Sequence, residues 1–149
     1  MKKLLFAFAV AVVLGCGPED YAPSWAGTYV GSVTATSTTC SNGQSVSPFT
    51  VDASPVLMAN GFNRVSFDAA SDCPAPMNVD ATSGTLLRTT CPGVVTTTTS
   101  SGTPLSYTTT YISGSLTLTA PRLSGPMSLS FSYSNGVTCT TSLSLSATR

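Results

Sequence analysis

Met127-Ser128-Leu129-Ser130-Phe131-Ser132-Tyr133 alternates without a break between apolar and hydroxyl side chains. A strict period of two marks a β-strand with one buried face and one wet face. The turn that follows tests the reading. If Asn135-Gly136 is a two-residue turn, Phe131 lies opposite Thr140 and the faces mix. If Ser134-Asn135-Gly136 is a three-residue loop, Tyr133 meets Val137, Phe131 meets Cys139 and Met127 meets Leu143. A one-residue slip exchanges the faces, so the second register is the consistent one.

The same pattern extends toward the N-terminus. Ser100-Ser101-Gly102 as a three-residue loop sets Thr97 opposite Leu105 and Val95 opposite Tyr107. Ser113-Gly114 as a two-residue turn sets Tyr111 opposite Leu116. Pro121 to Gly125 then brings Leu129 beside Leu118. Thr82-Ser83-Gly84 as a three-residue loop sets Val79 opposite Leu87. Asn60-Gly61 is a hairpin signal between a run from Ser45 to Ala59, broken near Pro55, and a return from Phe62 to Ala69. The first strand covers Ala26 to Thr36 and reaches Cys40. Turn residues every 8–12 positions among β-branched residues point to an all-β fold.

Consecutive strands with short connections form an antiparallel up-and-down meander. A long meander leaves two exposed edges, and closing the sheet removes them. The expected fold is therefore a barrel of about eight to ten strands, with a two-sheet β-sandwich as the alternative. Closure pairs the first strand with Val137–Thr148 and brings Cys40 to Cys139. Cys73 and Cys91 flank the Thr82 hairpin and form the other expected bridge. Four cysteines allow three pairings, and this is the one the topology favours. There is no histidine and no Cys-x-x-Cys spacing, so neither zinc nor dithiol redox chemistry is expected.

Ahead of the β region, Lys2-Lys3 precede the apolar run Leu4 to Leu14, which ends at Gly15-Cys16. The run is short for a bilayer span, which takes about 20 apolar residues. It fits a secretory signal peptide. Val13-Leu14-Gly15-Cys16 resembles the lipobox of bacterial lipoproteins. That resemblance implies cleavage after residue 15, acylation of Cys16 and a membrane anchor. Gly17 stands where an aspartate would signal inner-membrane retention in that family, so the outer membrane is implied. The chain thus divides into a signal peptide (1–15), a lipidated N-terminus and tether (16–24) and a single β domain (25–149). The proline-punctuated Gly17 to Ser24 reads as a free tether of at most roughly 28 Å.

Without the leader, Arg64, Arg88, Arg122 and Arg149 face Glu19, Asp20, Asp52, Asp68, Asp72 and Asp80. The balance is slightly acidic and no basic patch exists, so nucleic acid is not an expected partner. With no histidine, Ser-His-Asp and Cys-His catalysis are excluded. No Gly-x-Ser-x-Gly elbow occurs, and the aspartates read as turn and surface residues. An enzyme is not expected, nor is any cofactor.

Trp25-Ala26-Gly27-Thr28-Tyr29 resembles the opening of lipocalin-like barrels, where a glycine and an aromatic two residues later begin the first strand. The resemblance implies a small barrel able to hold a small apolar or amphipathic ligand. The inward candidates are Tyr29, Met77, Leu87, Tyr107, Tyr111, Met127, Phe131 and Tyr133; the simpler reading is that they only fill the core. The outward face is almost purely Ser and Thr. It offers a second role, as a structural or interaction surface for an envelope protein. Such hydroxyl arrays resemble those of ice-binding proteins, but a twisted sheet does not present a flat lattice.

Overall fold

The computed structural model describes residues 17–69, 73–98 and 102–149. The leader, Cys16, Asp72 and most of the Ser100–Gly102 loop lie outside the described residues. Within them, one four-residue helix, α1 (Ala22–Trp25), precedes twelve strands. These are β1 (Gly27–Thr28), β2 (Val30–Cys40), β3 (Ser45–Val46), β4 (Phe49–Ala53), β5 (Val56–Ala59) and β6 (Arg64–Asp68). They continue as β7 (Ala75–Val79), β8 (Ser83–Leu86), β9 (Thr89–Thr98), β10 (Pro104–Thr119), β11 (Arg122–Tyr133) and β12 (Thr138–Thr148). All pair antiparallel in one sheet.

The hydrogen-bonded order is β1-β5-β6-β7-β8-β10-β11-β12-β2-β3, with β4 on β2 and β9 on β10. The sheet is not a fully closed ring of ladders. Yet β1 and β2 are one chain run interrupted only at Tyr29, whose N–H donates to the Pro55 carbonyl at 2.9 Å. At the end holding Gly27 to Ala35 the path therefore returns to the strand on which it began. At the other end it does not. There β9 pairs only with β10, and β3 and β4 pair only with β2, among the described residues. The cause is strand length: β6 and β7 have five residues each, against sixteen in β10. Nothing among the described residues spans from β9 to β4.

The last hairpin has the expected register, with Phe131 opposite Cys139 and Met127 opposite Leu143. Tyr107 meets Val95 and Leu105 meets Thr97. The first and last long strands pair, Cys40 opposite Cys139. Both expected disulfides, Cys40–Cys139 and Cys73–Cys91, are present.

Three glycine-based readings are corrected. Ser113-Gly114 is not a turn, because β10 runs straight through it. Gly114 pairs with both Leu86 and Met127, and a Cβ there would stand 2.4 Å from Leu86 Cδ1. The glycine serves a close approach between strands. Gly84 likewise lies in β8 opposite Val79, so Leu86 rather than Leu87 is buried. The connection after β10 is tight, with Thr119 opposite Arg122 and Leu118 opposite Leu123. Leu129 therefore meets Tyr111 instead of Leu118.

The closed end holds the core. Trp25, Tyr29, Phe67, Leu57, Met77, Leu116, Leu123 and Leu145 are essentially inaccessible to solvent. Trp25 plugs the tube. Its indole N–H donates to the Asp80 carbonyl at 2.7 Å, and its ring lies where a Gly84 Cβ would sit at 3.0 Å. The Tyr29 hydroxyl donates to the Trp25 carbonyl at 2.9 Å. Arg149 lies over the Tyr29 ring at 5.7 Å and donates to the Ala26 carbonyl.

The segment before the plug is not a free tether from Asp20 onward. Asp20 Oδ1 accepts from the amides of Asn63 and Ala22 at 2.9 and 3.1 Å. The Tyr21 amide donates to Asn63 Oδ1 at 2.7 Å. These bonds fasten the approach to α1 onto the β5–β6 turn.

The β7–β8 turn closes on Asp80. Its carboxylate accepts from the Ser83 hydroxyl and amide, both at 2.6 Å, and from the Thr82 amide at 2.9 Å. The Ser83 hydroxyl, then the Ser83 and Thr82 amides, hold this carboxyl below the usual carboxylate range. A folded value below the unfolded one contributes stability at neutral pH that is lost as pH falls through the lowered value. We expect Asp80→Asn to be less stable than wild type at pH 7, with the gap closing in strong acid. Thermal melts at both pH values check this; a gap unchanged by pH would contradict it.

Candidate ligand-binding trough

Above the core, the unclosed half of the tube forms a trough. Its floor is the inner face of β10, β11, β12 and β2, built by the alternation seen in Met127–Tyr133. Its rims are β9 on one side and β3 with β4 on the other.

Three of the sequence candidates meet on this floor. The Tyr107 ring stands 5.6 Å from Phe131 at 81° and 5.4 Å from Tyr133 at 51°. These separations suit edge-to-face and tilted aromatic contacts. All three rings remain partly exposed. Burial, then the neighbouring Tyr107, pushes the Tyr133 phenol up, so it stays protonated at neutral pH. Thr38 and Thr141 hydroxyls bond to each other at 3.0 Å across β2 and β12.

The other candidates lie elsewhere. Tyr29, Met77, Tyr111 and Met127 are 5% exposed or less and belong to the closed-end core. Tyr111 makes an edge contact with Phe67 at 6.4 Å; burial, then the Asp68 charge, raises its phenol. Leu87 is half-buried, and Cys16 lies outside the described residues. Sequence reasoning missed Val46, Phe49, Leu105 and Leu143, which also line the trough. Phe49 is 47% and Val46 50% exposed. Val46 and Phe49 are three residues apart and fall on opposite faces in a period-two reading; the break between β3 and β4 at Ser47-Pro48 brings both to the trough.

The trough holds two adjoining cavities of about 550 and 270 Å³, which share Val46, Tyr133 and Cys139. No Asp, Glu, Lys or Arg lines either one. Asn42, Gln44 and Asn135 stand at the mouth of the larger, while Phe49, Tyr107, Phe131 and Leu143 line the smaller. The arrangement is polar at the lip and apolar on the floor. The Cys40–Cys139 bridge lies in the wall of the larger cavity, and Cys139 also lines the smaller.

A third depression, of about 530 Å³, lies over the bulges at Ile112 and Thr36 and is lined largely by Ser and Thr. On the outer face, facing hydroxyls bond to each other: Thr90 to Thr110, Thr96 to Ser106 and Thr34 to Thr50, at 2.9–3.1 Å. Among the described residues there is no cluster of potential metal ligands, and no helix long and apolar enough to cross a membrane.

Comparison with protein-family models, with curated proteins and with solved structures yields no match.

Proposed function

We propose that this chain is a lipid-anchored envelope lipoprotein that binds a small, uncharged, apolar or amphipathic ligand in the trough. The anchor reading is supported by Val13-Leu14-Gly15-Cys16 after an apolar leader, and the outer membrane by Gly17 after the cysteine. Two disulfides suit an oxidising compartment. The ligand reading is carried by one observation: partly exposed Tyr107, Phe131 and Tyr133 gather in a concave, charge-free cavity with amides at its lip. Ligand sites have this make-up, mostly apolar walls with a few placed polar groups. Desolvating an ion there would be unfavourable without a charged partner, which argues for a neutral ligand.

The test is native mass spectrometry of the full chain taken from its own host in mild detergent. Wild type is expected to carry an added non-covalent mass. Replacing Tyr107 and Phe131 together by serine should weaken retention by about tenfold, or about 1.4 kcal/mol. Met58→Ser, on the outer face, should retain ligand like wild type. Wild type with no added mass, or equal retention by all three, would overturn the reading.

A further inference from the structure

Resting on the lipid-anchor reading, we infer that the closed end of the tube lies flat on the bilayer that carries the anchor, with Phe62 in the interface. The trough then opens on the opposite side, toward the aqueous compartment. Four chain steps separate Cys16 from Asp20, at most about 14 Å. Asp20 and Tyr21 are fastened to Asn63 by two hydrogen bonds, the Asn63 amide to Asp20 Oδ1 and the Tyr21 amide to Asn63 Oδ1. An anchor on Cys16 therefore leaves the molecule at the β5–β6 turn and holds that turn near the membrane.

Phe62 is the residue beside Asn63, and it is 55% exposed. Met58, on the strand leading into the turn, is 53% exposed. An exposed aromatic held beside a lipid attachment is placed where apolar side chains bury into the boundary of headgroups and acyl chains. Charge does not oppose the contact. Glu19, Asp20 and Asp80 near this end are balanced by Arg64, Arg122 and Arg149. The trough lip, at Asn42 and Asn135, lies at the far end of β2 and β12. Ten residues of β12 from Cys139 to Thr148 span roughly 30 Å along the strand, so the lip stands well clear of the headgroups.

The experiment uses full-length protein made in a host that processes bacterial lipoproteins, reconstituted into phosphatidylcholine vesicles with brominated acyl chains. Wild type, with Trp25 as its one tryptophan, gives the background. The added emission of Phe62→Trp should be quenched roughly twofold, because interfacial aromatics sit about 5–10 Å into the headgroup and acyl boundary. The added emission of Asn135→Trp should be unquenched. Both sites are exposed. Asn135→Trp gives up the bond that Asn135 Oδ1 accepts from the Val137 amide, so urea midpoints of both variants are measured alongside to show that the fold is kept. If intact mass shows no acyl chains on Cys16, the anchor reading fails and this inference with it. If Cys16 is acylated yet Phe62→Trp is unquenched, or Asn135→Trp is quenched as strongly, the orientation alone is overturned.

Discussion

Replacing Cys40 and Cys139 together by serine is expected to lower the unfolding free energy by about 4 kcal/mol, because the bridge closes a loop of some hundred residues. The sequence separation is 99, so the bond joins the first long strand to the last. It restrains the unfolded chain more than the Cys73–Cys91 bridge, whose separation is 18. Its position adds a local effect. Cys40 and Cys139 stand at the open end, where β2 and β12 pair with no core beneath them. The double variant should therefore fray at the lip and lose ligand as well as stability. Urea unfolding followed by Trp25 fluorescence measures the first effect, and native mass spectrometry the second. An unchanged urea midpoint would mean that the open end is held by something other than this bridge.

Trp25→Ala is expected to cost about 3–5 kcal/mol, the range for removing a large aromatic from a packed core. Trp25 is fully buried, donates to the Asp80 carbonyl and covers Gly84. Its removal unplugs the closed end and takes away the indole donor of the Asp80 carbonyl. A paired substitution makes the test specific. In wild type, Gly84→Ala should destabilise, since its Cβ would come within 3.0 Å of the Trp25 ring and 2.9 Å of Met77 Sδ. In the Trp25→Ala background the same change should cost clearly less, because only the approach to Met77 Sδ remains and Met77 can shift into the space the indole leaves. Urea titrations of the four proteins give the coupling directly. Additive effects would show that Trp25 and Gly84 do not share a packing site.

Period-two alternation was enough to read the strands, the last hairpin and the meeting of the first and last long strands. Those registers follow from a physical demand, that each pass keep its apolar residues on one side. The misread points share one cause. Gly84 and Gly114 read as turn residues in the sequence, whereas each occupies a strand and makes room for a neighbour, Trp25 or Leu86. Glycine is used both for turns and for close approach, and the local sequence does not separate the two. Reading β10 as a hairpin at Gly114 followed from this. The inward set was legible as a set, but not its division. Tyr111 and Met127 differ from Tyr107 and Phe131 only in how many strands lie across from them, which depends on the shortness of β6 and β7. The binding of Asp20 by Asn63 joins residues 43 apart and leaves no local pattern.

Amide hydrogen exchange tests the half-closed tube most directly. Amides of Val65, Phe67, Met77, Leu116 and Leu118 should exchange only on global unfolding, as core strands do. In Val94–Thr98, every second amide should exchange at nearly the rate of an open chain, because the free edge of β9 has no partner strand among the described residues. Protection of all five β9 amides at the level of the core would mean that a strand covers this edge, and that the trough does not exist as described.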